Sequence, residues 1–380
     1  MTLREWVVTR WWPGRGGILG ALLDAALLPA ESAFRGATRV RNSAYERGSK
    51  KVERVPVPVI SVGNLAVGGA GKTPFAAWIV GRLVERGWSP AIALRGYGAD
   101  EVLVHGELNP GVPVFAAARR IEAARSAVDA GRDVVVLDDG FQHRALGRDL
   151  DIVLVAAEGW RRDPRVMPRG PWREGPEALG RADLVVVTRK SASAERADEV
   201  ASDLGRYTDA PVVIADLAPT LLSALHGGSE QSAKAPPSTD STESTESTES
   251  TESTESTEST ESTESTESSR PLDWLDGRKV LAVAALADAE PFFAQLRACG
   301  AVVQPASFAD HHAFTPDEAS RLVAAAAGRP MVMTRKDAVK LRALLSRHRE
   351  AYVLEQSVQI VRGRDAVEAA LDVALSRGRA

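Results

Sequence analysis

From Val55 onward, short runs of β-branched and aliphatic residues alternate with segments whose apolar positions recur at helical spacing. The runs predict strands over 57–62, 90–94, 133–137, 151–155, 183–187 and 211–215. Helical spacing between several of them predicts helices, for example over 73–86 and 116–130. Strands separated by helices make a parallel sheet covered on both faces. The alternation resumes near the C-terminus, with strands near 279–284, 301–303 and 330–333 and helices near 290–298, 316–327 and 336–347. The expected fold class is α/β, a parallel sheet covered by helices with a second, smaller α/β lobe.

Two stretches break this alternation. Nine consecutive Ser-Thr-Glu triplets fill 241–267. They hold no apolar residue to offset the entropy of ordering them, so a solvated, disordered tether is predicted there. At the other end, Trp6, Trp11 and Trp12 sit among Arg4, Arg10 and Arg15, ahead of an apolar run over 16–28 that only Asp24 interrupts. A basic cluster follows: Arg35, Arg39, Arg41, Arg47, Lys50, Lys51 and Arg54. The run is shorter than the roughly 20 residues of a membrane-spanning helix. Tryptophans, leucines and arginines together describe a helix lying in a membrane interface; the plainer alternative is a buried helix with solvated arginines. The chain thus divides into an N-terminal helical segment (1–54), a main α/β domain (55–226), a linker (227–270) and a C-terminal lobe (271–380).

Composition changes this picture only in part. At 380 residues, 44% apolar and 26% charged, the chain is an ordinary globular one of more than one domain, which excludes fibrous and polytopic membrane classes. Cys299 is the only cysteine, so an internal disulfide and a cysteine zinc site are both excluded. The net charge of −4 hides a contrast: 227–270 carries 11 acidic and 2 basic residues, and the rest has 45 basic against 40 acidic, or +5. Mild basicity suits an anionic ligand or membrane surface. No nucleic-acid partner is expected.

The chemistry starts at Val59-Ile60-Ser61-Val62-Gly63-Asn64-Leu65-Ala66-Val67-Gly68-Gly69-Ala70-Gly71-Lys72-Thr73. A predicted strand runs into a glycine-rich loop, then Gly-Lys-Thr, then a helix, the arrangement of a phosphate-binding P-loop. Glycines let backbone N–H groups approach phosphate oxygens, and the helix N-terminus adds positive potential. Gly68, Gly69, Ala70 and Gly71 would cradle the phosphates, Lys72 would reach the β/γ positions, and Thr73 would bind Mg²⁺. Ala66 stands where the strict pattern has glycine. A mobile glycine turn is the bland reading.

A second signal, Asp138-Asp139-Gly140-Phe141-Gln142-His143, follows the strand over 133–137. Carboxylates at the carboxyl end of a parallel strand stand where ligands bind in open α/β sheets, and behind a P-loop they can hold Mg²⁺. Three further clusters read on their own as two loops and a helix entry: Arg95-Gly96-Tyr97-Gly98-Ala99-Asp100-Glu101, Pro168-Arg169-Gly170-Pro171-Trp172-Arg173-Glu174, and Phe308-Ala309-Asp310-His311-His312-Ala313-Phe314-Thr315.

In this order, SVGNLAVGGAGKTP, RGYG, LDDGFQH, PRGPWREG, ADLVVVTRK, FADHHAFT and VMTRKDAVK closely resemble the tetraacyldisaccharide 4'-kinase family of lipid A biosynthesis. The resemblance covers nearly the whole chain except the repeat. It implies a P-loop NTPase-like fold, ATP and Mg²⁺ as cofactors, and a tetraacyl glucosamine disaccharide 1-phosphate as substrate. The product would be lipid IVA, made at the cytoplasmic face of the bacterial inner membrane by a peripheral or monotopic enzyme. Position by position, it implies a base at Asp100 with His311 as its partner, and phosphate neutralisation by Lys72 and Arg173. It implies a metal set drawn from Thr73, Asp138, Asp139 and Glu174, with Gln142 and His143 beside it. The family's base lies in a Gly-Asp-Glu-Pro stretch well downstream of RGYG, whereas here Asp100 directly follows Gly98-Ala99. Arg335 stands where the family usually has Glu. Two other classes remain open: a P-loop GTPase, since Thr188-Arg189-Lys190 and Thr334-Arg335-Lys336-Asp337 partly match a guanine-reading motif, and a non-catalytic lipid-binding protein.

Overall fold

A computed structural model of the protein describes residues 6–7, 11–12, 16–96, 99–226, 269–346, 348 and 350–377. The Ser-Thr-Glu repeat, and with it the expected tether, lies outside them. Helix α1 (Gly17–Glu46) precedes the sheet. The larger lobe runs through β1 (Val59–Asn64), α2 (Lys72–Glu85), β2 (Pro90–Arg95), α3 (Ala99–Leu108), β3 (Val114–Ala117), α4 (Arg120–Asp129), β4 (Val134–Asp138), β5 (Leu150–Ala156), β6 (Leu184–Arg189), α5 (Ala194–Leu204) and β7 (Val212–Ala224). The smaller lobe follows as β8 (Ser269–Arg270), β9 (Lys279–Ala284), α6 (Glu290–Ala298), β10 (Val302–Ser307), α7 (Pro316–Ala326), β11 (Met331–Met333), α8 (Arg335–Leu341), β12 (Ala351–Arg362) and α9 (Arg364–Arg377).

The twelve strands among the described residues join one sheet, ordered β10-β9-β11-β12-β7-β6-β5-β1-β4-β2-β3, with β8 on β7. Neighbours are parallel except where β7 meets β12 and β8. The central strands of the larger lobe are apolar runs buried on both faces, such as Val134–Asp138 and Leu184–Arg189, as a sheet covered by helices demands. The long antiparallel β7–β12 pairing carries the sheet from one lobe into the other. Helix α9, at the end of the smaller lobe in sequence, returns to the larger one: Val367, Leu371 and Ala374 are buried in the same core as Ile79, Val80 and Leu83 of α2, over β5, β6 and β7. Arg82 pairs with Glu368 at 3.0 Å across that contact.

Strand β1 sits between β4 and β5. The chain leaves it toward β2 on one side and fills the other side later with β5, β6 and β7, so the carboxyl end of β1 is a topological switch point, where open α/β sheets bind ligands. Sequence spacing merges β3 and α4 into one helix over 116–130. Instead Val114–Ala117 pairs with β2 and the helix begins at Arg120: strand pairing in the tertiary fold overrides the helical propensity of three consecutive alanines.

Helix α1 runs 30 residues, well beyond the apolar run over 16–28, and is long and apolar enough by length and composition to cross a membrane. One stripe of it is bolted to the larger lobe by polar contacts. Asp24 meets Arg165 at 2.8 Å, Glu31 accepts the Val166 amide at 2.9 Å and pairs with Arg169 at 2.5 Å, and Asn42 donates to Glu174 at 2.7 Å. Ile18, Leu19, Leu22 and Val40 face outward, with Ile18 84% exposed.

Candidate active site

The P-loop grows from β1. Gly68 and Gly71 have φ of 124° and 81°, angles open to glycine and strained for other residues. A Cβ at Gly71 would also lie 2.2 Å from Leu217 Cδ1. Gly71 caps α2, which begins at Lys72, so the helix N-terminus faces the loop. Two side chains from β6 and the turn after it fix the loop's shape. Thr188 Oγ1 donates to the Ala70 carbonyl at 2.9 Å, and Lys190 Nζ donates to the Gly69 carbonyl at 3.0 Å. The Thr-Arg-Lys segment that partly resembled a guanine reader is thus a brace for the phosphate loop.

The end of β4 supplies two carboxylates with different surroundings. Asp138 is buried. Its Oδ2 accepts from Thr73 Oγ1 at 2.8 Å and from His105 Nε2 at 3.0 Å, while its Oδ1, also buried, has no partner. Burial alone would raise its pKa, but the His105 contact, Lys72 and Thr73 outweigh it and hold the carboxyl at about 2. Asp139 adopts a left-handed backbone, φ 55°. Its carboxylate takes Arg173 at 2.9 and 3.0 Å and Lys72 at 3.5 Å. Burial opposes ionisation of Asp139 as well, and these two cations overcome it. The Arg120 guanidinium bridges the carbonyls of Asp138 and Asp139 at 3.2 and 2.7 Å. Gln142 Nε2 donates to the Asn64 carbonyl at 2.8 Å. His143 is held neutral, its pKa pushed down to about 4 by burial and by the charges of Arg120, Arg148, Arg95 and Arg119.

A Mg²⁺ ion fits these residues. It takes oxygen ligands and keeps waters and phosphate oxygens in its shell, so it needs only one or two protein groups. The unpartnered Asp138 Oδ1 and the Thr73 hydroxyl beside it are such groups. Among the described residues no cluster of three His, Cys, Asp or Glu side chains forms, consistent with a sparse site completed by phosphate. Glu174, expected in the metal set, is engaged elsewhere. Its carboxylate is buried against Arg181 at 3.0 Å, Asn42 at 2.7 Å and Arg41 at 3.6 Å. These contacts anchor α1 to the loop that carries Arg173.

Asp100 and His311, 211 residues apart in sequence, meet between the lobes with Oδ2 and Nδ1 3.5 Å apart. Asp100 lies in the first turn of α3, where the helix dipole favours an acid. His311 holds φ 58°; like Asp139, it is a non-glycine residue kept in a sparsely populated conformation, as functional sites often require. Its neighbour His312 stacks on Phe308 and bonds Glu318 at 3.0 Å, a packing role. The contact with His311 holds the Asp100 carboxyl down at about 2 against its burial, aided by Lys336, and the same contact raises His311 above its ordinary 6.5. The pair therefore favours the folded state between pH 3.8 and 6.5; its contribution fades as pH falls through the Asp100 value or rises through the His311 value. An NMR titration of the His311 ring should show a midpoint above 6.5 that drops in Asp100→Asn. An unchanged midpoint would mean that the pair does not form in solution.

Several residues of the site escape sequence reasoning. Glu101, raised by burial and by Asp138, faces Lys336 at 3.7 Å. His105 is legible only from its helical phase relative to Asp100 and Glu101 on α3, and Arg120 only once the start of α4 is known to flank the end of β4.

The family model "LpxK: Tetraacyldisaccharide-1-P 4'-kinase" matches residues 23–376. The chain belongs to this family. A tetraacyldisaccharide 4'-kinase from Anaeromyxobacter sp. (strain K) is 38% identical over 96% of this chain and 94% of its own length. Another, from Stenotrophomonas maltophilia (strain R551-3), is 34% identical over 82% of each chain. The crystal structure of LpxK from Aquifex aeolicus, described as in complex with ATP, superposes with a TM-score of 0.65 at 25% identity, covering 93% of this chain and 99% of that one. As a tetraacyldisaccharide 4'-kinase the protein is an ATP-dependent enzyme of lipid A biosynthesis that phosphorylates the 4'-hydroxyl of a tetraacyldisaccharide 1-phosphate. The GTPase reading falls away.

Proposed function

We propose that Asp100 is the proton acceptor of this kinase, oriented by His311, and that the transfer takes place at the cytoplasmic surface of the bacterial inner membrane. The observation that carries this reading is the Asp100–His311 contact of 3.5 Å, formed by residues of different lobes. Phosphoryl transfer needs alignment, charge neutralisation and an acceptor for the hydroxyl proton. Asp100 is ionised at neutral pH and exposes only 11% of its side chain, which suits a base shielded from water. Lys72 and Arg173, both paired with Asp139, stand ready to exchange that carboxylate for phosphate oxygens of ATP. Thr73 and Asp138 would hold Mg²⁺, with Asp139 beside them, and the bound ion supplies charge neutralisation at the β- and γ-phosphates. The brace from Thr188 and Lys190 keeps the loop rigid while phosphates enter and leave.

The membrane assignment rests on the two faces of α1. Because Asp24, Glu31 and Asn42 are pinned to the protein over more than half the helix, the exposed apolar face fits a helix lying along the interface better than one crossing it. Such a helix would hold the acyl chains while the reactive hydroxyl stays near the headgroup plane. Functionally, residues 1–54 would act as the membrane segment, 55–226 as the kinase domain, 227–270 as a linker and 271–380 as the lobe that brings His311. Removing residues 1–30 is expected to release the protein from membranes and to raise the KM for lipid. Full retention of the truncated chain at high salt would count against an anchor. Incubation with labelled ATP, Mg²⁺ and tetraacyldisaccharide 1-phosphate tests the function itself; label must appear at the 4'-position, and nucleotide turnover without lipid phosphorylation would overturn it.

A further inference from the structure

His105 has no place in the chemistry so far. It lies on α3, four residues after Glu101, with its ring fully buried. Its Nε2 is 3.0 Å from Asp138 Oδ2 and its Nδ1 has no partner. An ionised carboxylate accepts and does not donate, so across this 3.0 Å contact the imidazole donates through Nε2–H. Asp138 Oδ2 is thereby filled by two donors, Thr73 and His105, and only Oδ1 remains to meet a cation. The same bond ties α3, whose first turn carries Asp100 and Glu101, to the end of β4. Other contacts of α3 reach the smaller lobe: Glu107 pairs with Arg335 at 2.7 Å and with Arg342, and Glu101 with Lys336 at 3.7 Å. Among the described residues, the His105 bond is the side-chain contact of α3 that reaches the phosphate-site carboxylate.

We propose that His105 is a positioning residue for the metal site: it orients Asp138 so that Oδ1 faces the cation, and it registers the helix bearing the base against the strand bearing the metal carboxylate. The inference deepens the reading of Asp138 as a Mg²⁺ ligand and rests on it. Groups that orient a metal-binding carboxylate typically contribute 10–100-fold in metal affinity or activity. Phosphate cradling, which depends on the loop and Lys72, does not pass through His105.

The test compares His105→Leu and His105→Gln by direct binding of a fluorescent ATP analogue to the full-length protein, with and without Mg²⁺. In the Leu variant, affinity without metal should stay within about twofold of the parent, and the gain in affinity on adding Mg²⁺ should shrink by roughly tenfold or more. Gln, whose amide N–H can replace Nε2–H, should restore most of that gain and most of kcat. A folded Leu variant with the full Mg²⁺ gain overturns the inference; so do equal losses in Leu and Gln, which would mean that His105 only fills space. If the Leu variant fails to fold, His105→Asn serves instead. It is polar but too short to reach Asp138, and retention of the Mg²⁺ gain there overturns the inference equally. Asp138→Asn separates the two levels. If it too keeps the Mg²⁺ gain, the metal reading of Asp138 has failed; if it alone loses the gain, only the role of His105 has.

Discussion

Asp100→Asn should lower kcat by about 10²–10⁴, the range for losing a positioned general base, with little change in ATP affinity. The amide preserves shape and burial but cannot take the hydroxyl proton. His311→Ala should be milder, because Asp100 would remain ionised beside Lys336, which also depresses its pKa. Groups acting as a unit are not additive, so the double variant should cost less than the product of the two single effects. Single-turnover measurement with saturating ATP and lipid isolates the chemical step. An Asp100→Asn enzyme with kcat within threefold of the parent would remove Asp100 from catalysis and leave the contact with His311 as a lobe-closing pair.

Lys72→Ala should cost about 10²–10³ in kcat, by analogy with the loss of one preorganised charge contact in a transition state. Lys72 pairs with Asp139 at 3.5 Å and Arg173 binds the same carboxylate, so its loss leaves Asp139 with a single cation. Some ATP binding should survive, since Gly71, the α2 N-terminus and the carbonyl brace from Thr188 and Lys190 remain. The two effects can be told apart by measuring nucleotide affinity and turnover on the same preparation. Near-parental turnover in a folded variant would end the P-loop assignment.

Much of this site is local in sequence, and for that reason it can be read there. The P-loop is one strand, one glycine loop and one helix start, so the order of residues 59–73 already contains its geometry. Asp138 and Asp139 follow an unbroken apolar strand, and position along a strand is a one-dimensional property. Glu174 is the harder case, because a carboxylate beside a candidate phosphate-binding arginine suggests a metal ligand, while it also draws contacts from a distant element. In the fold it meets Arg181 nearby and, from a helix more than 130 residues earlier, Asn42 and Arg41.

The sequence by itself determined the α/β alternation, the phosphate loop, the paired acids at the end of β4 and the amphipathic N-terminal segment. Each depends on hydrophobic period or on neighbours within a few residues. Only the tertiary structure decided that both lobes share one sheet through β7 and β12 and that α9 closes the core of the first lobe, and it brought Asp100 and His311, paired until then by family resemblance alone, to 3.5 Å. It alone paired His105 with Asp138 and turned Thr188 and Lys190 onto the P-loop. These are contacts between elements far apart in the chain, fixed by strand order and helix phase, and no local pattern of residues encodes them.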